Sequence, residues 1–187
     1  MNHAMRWVLA GLAWVSFAVA AEGPDATLAD AEKGDAGAMH RLCYGFLYGD
    51  EDRKADPGQA FRWCSAAAQS RNPHSQTLLA EIYYLGTHGE KDLGQARTYY
   101  RAAADQGHPH AQLMLGLIAH VEEPHDPAAF CRWTRAAVLQ GYDKAFDVLK
   151  KVEQDWRAQN EGEPKGYCDS VLDPGPDAPA VSSGESG

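Results

Sequence analysis

Apolar positions along the chain recur at helical spacing and in blocks, and strand signals are absent. The segment "RWCSAAAQSRNPHSQTLLAEIYYLG" from Arg62 aligns with "TYYRAAADQGHPHAQLMLGLIAH" from Thr98 and with "RWTRAAVLQGYDKAFDVLK" from Arg132. A partial copy, "AEKGDAGAMHRLCYGFLYG", lies upstream from Ala31. The leucine that opens each Leu-small step falls at Leu42, Leu79, Leu115 and Leu149, at offsets of 37, 36 and 34. A fixed period of this length marks a repeat architecture. The pattern predicts helices at about 36–48, 57–70, 73–86, 92–106, 109–121, 127–140 and 143–157.

The punctuation between blocks agrees. Asp56-Pro57, Asn72-Pro73, His108-Pro109 and Asp126-Pro127 each place proline at a first helical position, directly after a residue in the N-cap position. Asp and Asn there accept a hydrogen bond from the free backbone N–H groups, and proline gives up a donor that would be unpaired anyway. Gly34, Gly107 and Gly141 mark ends where left-handed backbone is expected. Alanine runs at 66–68, 102–104 and 136–137 allow close helix approach, and Trp63, Tyr99 and Trp133 fill the space between units. One helix pair cannot bury its apolar face alone, so stacking must supply the core. The expected fold is all-α, an α-solenoid of about three antiparallel helix pairs plus a capping helix.

The ends of the chain change the picture. Arg6 followed by a fourteen-residue, largely apolar stretch, Trp7–Ala20, with small side chains at Ala18 and Ala20, has the form of a secretory signal. A membrane span would need about 20 apolar residues. Residues 1–20 are therefore read as a cleaved leader, with the mature chain starting at Ala21 or one residue later. Residues 21–30 are read as a linker, 31–157 as the repeat domain, and 158–187 as a tail held near Cys168, whose Pro, Gly and Ser content then predicts disorder. Arg6 is the only charge in the leader, so the mature chain keeps 16 Lys and Arg against 26 Asp and Glu, a net charge of −10. That balance argues against nucleic acid and anionic membrane as partners. In an exported chain the four cysteines read as disulfides, and three pairings are open.

The phrases "AQLMLG" at 111–116 and "ARTYYRAAADQG" at 96–107 resemble the Sel-one-like repeat family, relatives of the tetratricopeptide repeats. The resemblance covers residues 31 to about 157. The family's glycine is Cys43, Ala80 and Lys150 in the other units, and its tyrosine is Phe46, Tyr83 and, in the third unit, Ala119. Lys150 marks the last helix as a cap. In the geometry the resemblance implies, Cys64 points back at Cys43, which suggests Cys43–Cys64 and leaves Cys131 for Cys168. The resemblance also implies that the first helix of each unit lines a concave binding face. Its candidate residues are His40, Tyr44 and Tyr48, then Thr77, Glu81 and Tyr84, then Leu113, Leu117 and His120. Tyr44 and Tyr84 are the chief expected anchors, and packing between units is the competing role for Leu113 and Leu117.

Family members mostly serve as adaptors, so the implied role is a periplasmic or secreted protein-binding scaffold, adaptor or regulator whose partner is another envelope or secreted protein. An immunity-type inhibitor of a toxin or secreted enzyme is a sharper version. Some cysteine-rich relatives are linked to β-lactam binding and hydrolysis, but the chain lacks Ser-x-x-Lys, Ser-Asp-Asn, Lys-Thr-Gly and Gly-x-Ser-x-Gly. No enzyme, and no cofactor, is expected. His40, His74, His88, His108, His110, His120 and His125 form no HxxxH pair, so a metal site is not expected either.

Overall fold

The computed structural model describes residues 24–122, 124–160 and 166–172. The leader, the start at Ala21 and the final residues of the tail lie outside these. The described helices are α1 (Pro24–Glu32), α2 (Ala36–Tyr48), α3 (Pro57–Ala68), α4 (Pro73–Leu85), α5 (Leu93–Ala104), α6 (Pro109–Val121), α7 (Pro127–Leu139), α8 (Asp143–Gln159) and α9 (Tyr167–Leu172). No strand occurs among the described residues. Helices α2/α3, α4/α5 and α6/α7 pack as three successive hairpins, and α8 closes the stack against α7.

The caps follow from the sequence. Asp56, Asn72 and Asp126 accept backbone N–H groups of Gln59, Ser75 and Ala129 at 3.0, 3.3 and 2.8 Å. Between α3 and α4 the left-handed residue is Arg71, at φ 60°, in the register where Gly107 and Gly141 follow α5 and α7 at φ 86° and 75°. A non-glycine side chain in that conformation carries a cost the later units avoid.

Each hairpin crosses at one register position, filled differently each time. In the first, Cys43 of α2 and Cys64 of α3 are joined by a disulfide with Cα atoms 4.7 Å apart. In the second, Ala80 faces the fully buried Tyr100 within one core cluster. In the third, Gly116 lies so close to α7 that a Cβ would meet Thr134 Oγ1 at 2.6 Å and the Phe130 carbonyl at 3.2 Å. One side is small at every crossing, which lets the backbones approach. Lys150, the corresponding residue of α8, is exposed.

Both ends depart from the expected segmentation. Helix α1 spans most of the stretch read as a linker and runs on to Glu32; it packs on α2 and buries Thr27 and Ala31. Its short Ala-rich pattern carries no repeat signal, so periodicity alone missed it. Helix α8 runs two residues past the expected end, and Tyr167–Leu172 forms a further helix. Cys131–Cys168 ties that helix to α7, with Cα atoms 5.4 Å apart. Cys131, Cys168 and Phe130 share a small core that closes the end of the stack.

Candidate functional site

The first helices α2, α4, α6 and α8 lie side by side, and a chain of hydrogen bonds crosses all four. The Tyr48 hydroxyl of α2 donates to Glu81 of α4. On its other side Glu81 meets His110 Nε2 of α6 at 2.8 Å. His110 Nδ1 in turn lies 3.0 Å from the Tyr142 hydroxyl at the start of α8. Burial works to raise the Glu81 carboxyl, but hydrogen bonds from His110 and Tyr48 outweigh it and hold the group below the usual carboxylate range. Burial, reinforced by the Glu81 charge, pushes the hydroxyls of Tyr48 and Tyr142 upward. Both phenols therefore stay protonated; Nε2–H donates to the Glu81 carboxylate, and Nδ1 shares a hydrogen bond with the Tyr142 hydroxyl.

A second row runs beside the first. His40 Nδ1 is 3.0 Å from Ser75 Oγ, and His108 Nε2 is 3.1 Å from His74 Nδ1. His108 also caps α6, its Nδ1 accepting the Ala111 N–H at 3.3 Å. That cap needs a neutral ring. Burial first, then the neighbouring His74 and His110, lower His108 to about 4 against the opposing pull of Glu81. Burial and the nearby His74 and Arg41 lower His40 as well. Amide bridges brace the second and third hairpins internally: Gln106, just past α5, donates to Gln76 of α4 at 2.8 Å, and Gln140, just past α7, donates to Gln112 of α6 at 2.7 Å.

Of the residues expected to form the face, Tyr44 and Tyr48 are exposed and lie together. They are 53 % and 52 % exposed, with ring centroids 4.9 Å apart. His40 and Glu81 are half-buried within the rows just described. Thr77 and Leu113, at 3 % and 4 % exposure, contribute no surface. Thr77 donates back to the Pro73 carbonyl at 2.8 Å, and Leu113 packs with Ala137 and Ala145. Leu117 leans on that same cluster. Tyr84 and His120 turn elsewhere. Tyr84 faces α5, edge-on to Tyr100 and 4.5 Å from the Lys91 ammonium, while His120 packs on Phe130 of α7 at 4.9 Å. The cause is register: the positions equivalent to Tyr48 are Leu85 and Val121, and a slip of one residue rotates a side chain by about 100°. Leu85 and Val121 are exposed.

His74, His110 and Tyr142 were not anticipated. The available signal was register, since His74 and His110 share the second helical position of α4 and α6. Tyr142 stands at the N-cap of α8, where the earlier first helices carry Asp35, Asn72 and His108, and it makes no side-chain cap bond. Among the described residues no three His, Cys, Asp or Glu side chains converge as a metal site.

The Sel1 repeat family matches residues 36–72 and 73–108, the two stretches that hold α2–α3 and α4–α5. The chain carries two Sel1 repeats. The pair α6–α7 extends the same architecture beyond the matched residues. Among solved structures the protein is similar to c5321, a protective antigen of uropathogenic Escherichia coli strains with an SLR fold, at 29% identity and TM-score 0.63 over 70% of this chain. The alignment spans only 28% of that antigen. It also shares its fold with a Sel1 repeat protein from Oxalobacter formigenes, at 22% identity and TM-score 0.58, over 66% of this chain and 95% of the other. No curated protein sequence matches significantly. Sel1 repeats are helical protein-interaction scaffolds, and the two disulfides of this one suit an oxidising compartment. No described helix is long and apolar enough to cross a membrane.

Proposed function

We propose that this Sel1-repeat protein is an exported, non-enzymatic binding protein of the cell envelope, acting as scaffold, adaptor or regulator. Its partner is another envelope or secreted protein, held on the face formed by α2, α4, α6 and α8. The observation that carries this reading is the exposed Tyr44–Tyr48 pair set at one end of the Tyr48–Glu81–His110–Tyr142 row. Tyrosine offers an apolar ring with a wet hydroxyl, the composition of binding hot spots. The row behind it holds Tyr48 and Glu81 in place, so little side-chain freedom is lost on binding. The acidic balance of the chain, −9 overall, favours a partner with a basic or neutral surface.

Photocrosslinking tests the assignment. A benzoylphenylalanine placed at position 44 should crosslink an envelope protein, whereas the same group at Arg132, exposed on α7, should not. Equal crosslinking from both positions would rule out the face. The export part of the reading predicts a mature N-terminus at Ala21 or one residue later, and an intact Met1 in a membrane fraction would contradict it.

A further inference from the structure

The third hairpin lacks a ring that the second one has. Tyr83 of α4 is stacked on Tyr99 of α5, with centroids 5.9 Å apart and planes within 3°, and meets Phe61 of α3 edge-on at 5.8 Å. One repeat later the corresponding residues are Ala119 for Tyr83, Trp133 for Tyr99 and Arg97 for Phe61. The backbone at this position is unchanged. Phe46, Tyr83 and Ala119 each accept a backbone N–H, from Asp56, Asp92 and Asp126 at 2.8, 2.9 and 2.9 Å. Only the side chain is missing.

A cavity of about 450 Å³ opens there, with Arg97, Arg101, Ile118, Ala119 and Trp133 among its walls. The Arg101 guanidinium lies over the Trp133 ring, 4.8 Å from its centroid, and Arg97 is paired with Glu122. We propose that this cavity is a binding site for an aromatic ring, a phenol or phenyl group, which occupies the place of the side chain absent at Ala119. The second repeat supplies the template: a phenol ring already sits at the equivalent position, between residues equivalent to Arg97 and Trp133. Trp133 provides the stacking surface, and the two guanidinium groups favour the electron-rich face of an aromatic guest. Dry cavities of about 150 Å³ already admit benzene, so space is not limiting.

The test uses the oxidised protein and two probes, p-cresol and the capped peptide acetyl-Gly-Tyr-Gly-amide, followed by NMR at the Trp133 indole N–H. Saturable shifts with p-cresol are expected, at least tenfold weaker with cyclohexanol. Binding of both aromatic probes assigns the guest to a partner's side chain, and binding of p-cresol alone assigns it to a free small aromatic. In Ala119→Tyr the built-in ring should abolish p-cresol binding and raise Tm, and Ala119→Phe should do the same should the first variant express poorly. Absence of saturable p-cresol binding, equal affinity for cyclohexanol, binding of the peptide without p-cresol, or undiminished binding in the filled variants would each overturn the proposal.

Discussion

Tyr142 places its hydroxyl 3.0 Å from His110 Nδ1 at the position where α2, α4 and α6 carry a capping side chain. A cap is worth about 1 kcal/mol, and α8 forgoes it. In exchange, the row of polar side chains on the first-helix face gains its fourth member. A local rule broken where several side chains converge is the pattern expected of a site shaped for binding.

Replacing Tyr142 by Phe keeps the ring and removes only the hydroxyl. The expected cost is about 1 kcal/mol, that of one partly buried hydrogen bond. Urea denaturation would show it, and the imidazole resonances of His110 should shift while those of His40 stay in place. A variant as stable as wild type with an unmoved His110 would dissolve the row.

Acidification should loosen the stack. Burial and the neighbouring histidines keep His108 at about 4 in the fold, below its ordinary 6.5, and His40 is lowered in the same direction. The unfolded chain thus takes up protons that the folded chain refuses between about pH 6.5 and 4, so stability is full above that window and falls as pH drops through it. Protonated His108 can no longer accept the Ala111 N–H. His108→Asn retains a capping group, as Asn72 does, without the titration. Its stability should change less over the window, with His40 providing the remainder. An unchanged slope would show that His108 is not the sensor.

Arg71 is the one described residue other than glycine with positive φ. Arg71→Gly should raise stability by roughly 0.5–1 kcal/mol, the relief of left-handed strain less the added freedom of the unfolded chain. Thermal melting at neutral pH measures it. A lower Tm would mean that Arg71 contributes contacts worth more than the strain.

Most of the scaffold was legible because its determinants are local and repeated. Asp56-Pro57, Asn72-Pro73 and Asp126-Pro127 announce their helices through chemistry that needs no tertiary partner. The family resemblance set Cys43 at the hairpin crossing with Cys64 pointing back at it, and so implied the bond that joins them. The face was legible only in part. Tyr44, Tyr48 and Glu81 follow from the register, but Tyr84 and His120 sit one residue off it and turn toward α5 and α7. Thr77 and Leu113 are in register yet buried, because α6 packs over Thr77 and α7 and α8 cover Leu113. His110 and Tyr142 belong to the face through contacts between units, with 32 residues separating them, and no single repeat reveals such a pairing. The helices α1 and α9 lie outside the periodic pattern and were invisible to it.

The most direct measurement is the affinity of the crosslinked envelope partner for a Tyr44→Ala, Tyr48→Ala double variant. Both side chains are half exposed, so helix content should stay near that of wild type, with stability falling only by about 1 kcal/mol for the lost Tyr48–Glu81 hydrogen bond. Binding should weaken by about 2 kcal/mol or more, roughly thirtyfold in Kd. Undiminished affinity in a folded double variant would contradict the assignment of this face.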